Sequence, residues 1–310
     1  MSQGVLYVGT GERFFNQAID SAKSLEKTNN ILASIITTKD IENSNDTSVF
    51  DRVITIDNPY DDLRDKIYNL DKTPYEKTLF LDCDTIILRD IESVFDLLDR
   101  VDVAASYATG RFKIMSENIP DCLPELNTAV LAYRMNECVN NLFTLWERLE
   151  QDQIEHGKPR QGEWVPIEGA KSLEEVSRFG NLYGQTTFRE ALYQSEVSFS
   201  ILPPEYNYGK TGRGYARYDV KILHGQKRHQ LRSLINERTG PRKFTPRQLV
   251  GDTLYYPWEG RKKRLDSFSR VGIWKRKFKS IVGEAAQHVG LYDEIRWIRD
   301  KVRVIVSKKI

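Results

Sequence analysis

The stretch Leu79-Phe80-Leu81-Asp82-Cys83-Asp84-Thr85-Ile86-Ile87-Leu88 places two carboxylates between two apolar runs. Burying an unpaired carboxylate costs free energy, so a cation is expected beside these aspartates. In an extended chain, side chains two residues apart point to the same side, and Asp82 and Asp84 then both face one divalent ion. The stretch predicts a metal-binding strand end, with helix capping or pairing to arginines as the alternative.

Strands and helices alternate outward from this stretch. Apolar or β-branched runs predict strands at 5–8, 31–37, 53–56, 78–81, 101–106, 128–133, 197–202 and 220–223. A period of 3.6 predicts helices at 14–25, 62–70, 91–98 and one that begins at 136. The polar, poorly periodic sequence from 151 to 184 predicts long loops. The pattern as a whole predicts an α/β fold with a mainly parallel sheet and helices on both faces.

The composition excludes several classes of protein. A chain of 310 residues, 40% of them hydrophobic, is long enough for a true core and is neither a disordered tail nor a small stapled scaffold. Its 3 cysteines are too few for a disulfide framework, which indicates a reducing compartment. The N-terminus does not resemble a signal peptide, and no apolar run is long enough to span a membrane. We therefore expect a cytoplasmic protein, with peripheral attachment to the inner face of a membrane left open.

The charge is distributed unevenly along the chain. The net charge is +2, but residues 240–310 carry 18 Lys and Arg against 7 Asp and Glu, so that the preceding residues are acidic. This asymmetry suggests that the two parts meet different partners. We therefore predict a catalytic domain at 1–239 and a basic, mainly helical C-terminal extension at 240–310.

Several segments, taken together with the Asp82-Cys83-Asp84 stretch, resemble the GT-A fold glycosyltransferases, particularly the glycogenin-like family 8 enzymes. The resemblance covers roughly 4–227. Its segments are Val5–Gly11, the lysine Lys66 before the aspartates, Leu126–Val130, Gly184-Gln185, Leu202–Asn207 and Ile222–His224. The resemblance implies a Rossmann-like GT-A sheet of mixed direction and transfer of a sugar from a nucleotide-diphosphate sugar. It further implies a UDP-sugar as the donor and retention of the anomeric configuration.

The resemblance also implies the roles of particular residues. Asp82, Asp84 and His224 would bind the metal, for which an oxygen-rich site with one imidazole suits Mn²⁺ or Mg²⁺. Asp82, Asp84 and Gln185 are the candidate catalytic residues. The candidate donor-binding residues are Gly9, Thr10, Gly11, Arg64, Lys66, Asp82, Cys83, Asn127, Thr128, Gln185 and Lys227.

Two departures from the family pattern affect the donor site. Gly184 stands where the family has an aspartate, so that carboxylate is missing or is supplied elsewhere, for example by Glu190. The family's ending after the metal-binding histidine is replaced by a different sequence at 224–229. Lys227, the candidate diphosphate contact, therefore lies in a segment that departs from the family pattern, whereas His224 lies in one that matches it.

The basic extension combines cationic clusters with an apolar stripe. Arg261–Arg264 and Lys275–Lys279 precede apolar residues spaced 4-3-4-3 up to 305. This composition, over 261–306, is typical of an interfacial helix on anionic lipid, which would bring the enzyme to a carbohydrate or lipid-linked acceptor. Packing of the stripe on the catalytic domain or on a second subunit is the alternative. No nucleic-acid partner is expected, because the extension carries no known nucleic-acid-binding motif.

Two other functions remain open on the sequence. A sugar-nucleotide nucleotidyltransferase shares a related sheet and also uses a metal, but residues 9–13 are too short and too acidic for its phosphate loop. A non-catalytic adaptor that keeps the fold is the other alternative, and Gly184 in place of the aspartate is the feature that favours it.

Overall fold

The computed structural model describes residues 2–60, 64–108, 112–115, 119–156, 163–166, 183–209, 215–225, 235–236, 247–250, 253–256 and 261–264. Within them, the α-helices are α1 (Glu12–Glu26), α2 (Lys39–Ser44), α3 (Arg64–Ile67), α4 (Ser93–Leu97), α5 (Glu137–His156) and α6 (Tyr183–Gln194). Short 3₁₀ turns occupy Leu70–Lys72 and Pro204–Tyr206.

Fifteen strands lie in the same described residues. They are β1 (Gln3–Val8), β2 (Leu32–Thr37), β3 (Arg52–Thr55), β4 (Lys77–Leu81), β5 (Thr85–Ile87), β6 (Val103–Tyr107), β7 (Phe112–Met115), β8 (Leu126–Arg134), β9 (Glu163–Pro166), β10 (Phe199–Leu202), β11 (Tyr215–Ala216), β12 (Ile222–His224), β13 (Arg247–Val250), β14 (Thr253–Tyr256) and β15 (Arg261–Arg264).

Seven of these strands form the central sheet, in the order β10-β6-β8-β4-β1-β2-β3. Only the pairs that involve β8 are antiparallel, so the other six strands run in one direction. The prediction of a mixed, mainly parallel sheet is therefore confirmed. From β1, the chain proceeds to β2 and β3 on one side and then returns to β4 on the other side. The strand order thus reverses between β1 and β4.

The two faces of the sheet carry separate apolar layers. One layer packs α1 and α4 against the sheet, through residues such as Phe15 and Phe95. The other packs α3, α5 and α6 through residues such as Trp146 and Phe188. Helices therefore cover both faces, as predicted, and burial on both sides explains why all five residues of β4 are inaccessible.

Smaller sheets surround the central one. β12 pairs antiparallel with β5, and β7 pairs antiparallel with β9. A sheet in the order β11-β13-β14-β15 includes residues from the predicted C-terminal extension. Residues Met1–Lys263 form one compact unit.

The local predictions need three corrections. The helix predicted at 62–70 is a single turn at Arg64–Ile67 followed by a 3₁₀ turn, because Asn69 departs from helical backbone geometry. The stretch predicted as loops from 151 includes the end of α5 and the strand β9. Within the extension predicted to be mainly helical, the described residues are strands, because they pair with one another in a sheet. Residues 265–310 lie outside the described residues, so a helical character there, and a boundary at 240, stay predictions.

Candidate metal centre

The candidate site lies at the carboxyl ends of β1 and β4. In open α/β sheets, a crevice forms where the strand order reverses, because the connections leave the two neighbouring strands on opposite sides. The chain leaves β1 at Val8 and leaves β4 at Leu81. The thiol of Cys83 donates a hydrogen bond to the carbonyl of Val8 at 3.1 Å, which ties the two strand ends together.

Asp82 and Asp84 lie in a tight turn between β4 and β5, and not along an extended strand as predicted. The amide of Thr85 donates to the carbonyl of Asp82 at 3.2 Å, which closes the turn. The amide of Asp82 donates to the carbonyl of Ala129 in β8 at 2.7 Å. The predicted convergence of the two carboxylates holds, but the turn produces it.

Buried hydroxyl groups on α1 hold the second half of this turn. Ser21 Oγ lies 2.8 Å from Thr85 Oγ1 and 3.1 Å from the hydroxyl of Tyr7. Ser24 Oγ accepts a hydrogen bond from the amide of Ile87 at 2.8 Å. These side chains are fully buried or nearly so. A satisfied buried network of this kind fixes β5, and with it Asp84, against α1.

His224 reaches the aspartates because β12 pairs with β5. Thr85 is its partner in the antiparallel register. The amide of His224 donates to the carbonyl of Tyr208, and the amide of Gly225 donates to the carbonyl of Asp84 at 2.8 Å. Gly225 has a φ of 97°, which a residue with a Cβ rarely adopts, so the chain turns away immediately after the imidazole.

The three predicted ligands converge at one point. One ligand atom from each of Asp82, Asp84 and His224 lies within 4.8 Å of the other two. Nε2 of His224 is 3.1 Å from Oδ1 of Asp84 and 3.8 Å from Oδ2 of Asp82. The aspartate side chains are 18% and 19% exposed, whereas the imidazole is 3% exposed. Among the residues that the structure describes, no other group of three such side chains comes together in this way.

These residues fit a divalent cation. Nε2 of His224 is buried and makes no hydrogen bond, although it faces two carboxylate oxygens. A buried polar atom without a hydrogen bond needs another partner, and a cation between the three side chains supplies one.

A small cleft beside the three ligands brings several predicted donor-binding residues together. Its volume is about 70 Å³, and it is lined by Val8, Thr10, Arg13, Phe14, Gln17, Lys66, Phe80, Asp82, Cys83 and Asp84. Nζ of Lys66 donates to Oδ1 of Asp82 at 3.1 Å. Burial, followed by the charges of the two aspartates, raises the pKa of the Cys83 thiol, so this side chain serves as a hydrogen-bond donor and not as a nucleophile.

A second, larger recess opens at the carboxyl ends of β1, β2 and β3. Its volume is about 650 Å³, and it is lined by Thr10, Gly11, Glu12, Thr38, Lys39, Asp40, Ile41, Ile56, Asp57, Asn58 and Pro59. Thr10 lines both the cleft and the recess. The two spaces therefore meet at the loop after β1, where Gly9, Thr10 and Gly11 were predicted to bind a nucleotide.

Three other predicted residues, Arg64, Gln185 and Thr128, are not among those that line the cleft. The guanidinium of Arg64 lies over the ring of Tyr60, 4.4 Å from its centroid. Gln185 is half-buried in the first turn of α6, and no described contact joins it to the aspartates. Thr128 is buried in β8. Lys227 lies outside the described residues.

Gly184, where the resemblance implied an aspartate, lies against Ile67 and Trp146. A Cβ at Gly184 would lie 3.2 Å from Cδ1 of Ile67, and the indole nitrogen of Trp146 donates to the Gly184 carbonyl at 2.9 Å. The predicted substitute, Glu190, is buried in α6 and accepts a hydrogen bond from Gln194. A side chain at 184 would therefore meet the apolar layer between α3 and α5.

Sequence reasoning missed several residues of this site. Arg13 lines the cleft with Gln17, one turn further along α1, and this spacing on an amphipathic helix was an available signal. Asn207 belonged to a matched segment but received no role. Its Oδ1 lies 2.9 Å from Nδ1 of His224, a contact that only the folded chain reveals.

No described protein family matches the sequence, and no curated protein is similar to it in sequence. The solved structures that are similar to part of the chain include two glycosyltransferases. The glycosyltransferase GlyE of Streptococcus pneumoniae TIGR4 is 15% identical, with a TM-score of 0.43, over 66% of this chain and 47% of its own. The galactosyltransferase LgtC, solved with donor and acceptor sugar analogues, is 11% identical, with a TM-score of 0.43, over 72% of this chain and 86% of its own. The chain thus spans about half the length of GlyE. Among the described helices, none combines the length and the hydrophobicity that a membrane span requires.

Proposed function

We propose that this chain is a metal-dependent glycosyltransferase that transfers a sugar, with retention, from a UDP-sugar to a carbohydrate or lipid-linked acceptor. The observation that carries the proposal is the convergence of Asp82, Asp84 and His224 at the crevice between β1 and β4. Two cationic side chains, Arg13 and Lys66, line the cleft beside them.

This combination fits the charge that develops during glycosyl transfer. Cleavage of the anomeric C–O bond leaves negative charge on a diphosphate, and a bound divalent ion neutralises such charge as a Lewis acid. Asp82, Asp84 and His224 would hold that ion. Lys66 keeps Asp82 in place through Oδ1, and its ammonium group remains within the cleft to attract phosphate oxygens.

The larger recess supports binding of the nucleoside part of the donor. Thr10 lines both the cleft and the recess, and Gly11 follows it in the lining of the recess. With the diphosphate in the cleft, the nucleoside would extend into the recess along the loop after β1. Asn127, Thr128, Gln185 and Lys227 remain proposed donor contacts on the strength of the family resemblance.

Retention would proceed on one face of the sugar. The only thiol in the cleft, that of Cys83, has a raised pKa and is bonded to a backbone carbonyl, so it is a poor nucleophile. The aspartates are directed at the imidazole of His224. In the proposed reaction the leaving phosphate itself accepts the proton of the acceptor hydroxyl while the new bond forms on the same face.

The basic extension is proposed to hold the enzyme at an anionic membrane surface in the cytoplasm. The four consecutive cations of β15 begin the basic region, and the remaining residues, 265–306, lie outside the described part. Flotation of the full chain with vesicles of anionic lipid, compared with neutral vesicles, tests the idea. Equal flotation with both vesicle types would contradict it.

The function itself is tested by incubating the purified chain with Mn²⁺, a panel of nucleotide-diphosphate sugars and a glycan or lipid extract. We expect release of nucleoside diphosphate with at least one donor, and loss of that release in Asp84→Asn. Asp46→Asn is the matched control, because Asp46 is an exposed aspartate in the loop after α2. When pyrophosphate is added, its consumption with formation of nucleoside triphosphate and sugar phosphate would instead indicate a nucleotidyltransferase, and no turnover with any donor would indicate a non-catalytic adaptor.

A further inference from the structure

A chain of hydrogen bonds links β8 to the proposed metal ligand. The amide of Ala129 donates to Oδ1 of Asn127 at 2.9 Å, and Nδ2 of Asn207 donates to the same oxygen at 3.0 Å. Oδ1 of Asn207 lies 2.9 Å from Nδ1 of His224. Asn127 and His224 are each 2% exposed, so water does not compete effectively for these groups.

The direction of every bond in this chain follows from its first member. A backbone N–H only donates, so the atom of Asn127 that faces Ala129 must be the amide oxygen. That oxygen also faces Asn207, which must therefore present its NH₂ group there. The oxygen of Asn207 is then left to face His224, and Nδ1 of the imidazole must carry a hydrogen. The peptide bond before Ala129 thus determines the orientation of two side-chain amides and one imidazole.

We propose that Asn207, oriented by Asn127, is a positioning residue that keeps the hydrogen of His224 on Nδ1 and its lone pair on Nε2. The inference rests on the proposed metal site, because a metal ion bound there would accept the lone pair of Nε2. A neutral imidazole with a hydrogen on Nδ1 offers Nε2 as the electron-pair donor. That nitrogen is the atom that faces Asp84 and Asp82 without a hydrogen bond.

The same strand also holds the other side of the site. The carbonyl of Ala129 accepts a hydrogen bond from the amide of Asp82 at 2.7 Å, while the amide of Ala129 begins the chain to His224. Two of the three ligands are therefore held by opposite groups of a single residue in β8. Removing a residue that is hydrogen-bonded to a metal ligand typically weakens metal binding 10-fold to 100-fold.

The first test measures the imidazole directly in metal-free protein. In ¹⁵N-labelled full chain, two-bond couplings to the ring hydrogens distinguish a protonated Nδ1 from a protonated Nε2. We expect a hydrogen on Nδ1 in the wild type and its partial loss in Asn207→Leu, which can neither accept nor donate. Asn207→Asp, which keeps an acceptor, is expected to retain the Nδ1–H form. An unchanged Nδ1–H form in Asn207→Leu would overturn the proposal.

The second test measures the affinity for Mn²⁺ alone by electron paramagnetic resonance. We expect Asn207→Leu to bind Mn²⁺ about 10-fold to 100-fold more weakly than the wild type, and Asn207→Asp to recover most of the loss. Asn236→Ala is the matched control. Its side chain makes two hydrogen bonds to the backbone of Val220, just before β12, and none to the imidazole, so Mn²⁺ affinity should not change.

The outcomes separate this inference from the proposed function. Wild-type chain that binds no Mn²⁺ would contradict the metal site, and the imidazole measurement would still decide the role of Asn207. Wild-type binding with equal affinity in Asn207→Leu would overturn the role of Asn207 and leave the metal site intact. Equal weakening in Asn207→Leu and Asn236→Ala would show a general loss of structure and would also overturn the proposal.

Discussion

The carboxylate of Asp65 accepts a hydrogen bond from the hydroxyl of Thr10 at 2.5 Å. Its other oxygen accepts a hydrogen bond from the amide of Tyr60 at 2.8 Å. Asp65 is 2% exposed, so it joins the loop after β1 to the segment before α3 from within the protein. These two segments border the cleft and the recess in which we place the donor.

Removing this carboxylate should therefore weaken nucleotide binding as well as stability. We expect Asp65→Ala to lower the free energy of unfolding by about 2 kcal/mol, the typical loss for hydrogen bonds to a charged group. The KM for the donor should rise more than kcat falls. Urea unfolding and steady-state kinetics measure both. Asp51→Ala serves as the control, because Asp51 accepts a bond from the amide of Ala33 at the opposite end of β2. An equal rise in KM in both variants would contradict the role of Asp65.

Arg13 should contribute to binding of the diphosphate and not of the metal. Its side chain lines the cleft but lies outside the three-ligand group. We expect Arg13→Gln to weaken the binding of nucleoside diphosphate about 10-fold, because a charged hydrogen bond to phosphate contributes roughly 1.5 kcal/mol. Titration calorimetry with the nucleotide, and Mn²⁺ binding alone, separate the two effects. The control is Arg100→Gln, an exposed arginine at the opposite end of the sheet, and a loss of Mn²⁺ affinity in Arg13→Gln would contradict the assignment.

Glu125 should make stability depend on pH. Burial raises the pKa of this carboxyl to about 7, and the charge of Arg189 opposes the shift only in part. The folded chain therefore holds a proton that the unfolded chain releases near its ordinary pKa of 4.5. Stability should fall as pH rises from about 4.5 to 7 and should level off above 7.

Glu125→Gln should remove this dependence, because the amide keeps the shape of the carboxyl and does not ionise. Urea unfolding of both chains across pH 5 to 8 measures the difference in their free energies of unfolding. We expect the variant to become more stable relative to the wild type as pH rises. A constant difference between the two chains over that range would show that Glu125 does not titrate there.

Restoring the family aspartate at Gly184 should cost stability. A Cβ there would lie 3.2 Å from Cδ1 of Ile67, so the methyl group must yield by a few tenths of an ångström. The new carboxylate would also approach the indole of Trp146. We expect Gly184→Asp to lower the free energy of unfolding by about 1–2 kcal/mol.

A double-mutant cycle with Ile67→Val tests the reason for that loss. Shortening Ile67 alone removes a buried methyl group and costs about 1 kcal/mol. If the close contact causes the loss, the two substitutions together should cost less than the sum of their separate effects. Strictly additive losses would show that Ile67 is not the source.

The sequence predicted the central strands and the pair of aspartates because both depend on local signals. A buried parallel strand reads as a continuous apolar run, and β4 does so up to Leu81. The two aspartates follow it directly. His224 was placed by the family resemblance after a short apolar strand, and its pairing with Thr85 on β5 confirms that it reaches the aspartates.

The remainder depended on contacts that lie far apart in the sequence. The turn at Asp82–Thr85 replaces an extended strand, because β5 leaves the central sheet to pair with β12. The role of Asn207 depends on Asn127, which is distant along the chain. By contrast, the pairing of β13 with β14 had a local signal in the sequence. Their register places Val250 opposite Thr253. The dipeptide Gly251-Asp252 between these two residues is typical of a β-hairpin.

The position of β8 in the central sheet has a consequence for synthesis of the protein. β6 pairs only with β8 and β10, and both follow it in the chain, whereas β1, β2, β3 and β4 pair with one another in the part made first. On the ribosome, the first four strands find partners as they emerge, but β6 must wait for β8 to insert between it and β4. The histidine that completes the ligand set emerges later still. A nascent chain therefore acquires its two aspartates well before it acquires the third candidate ligand.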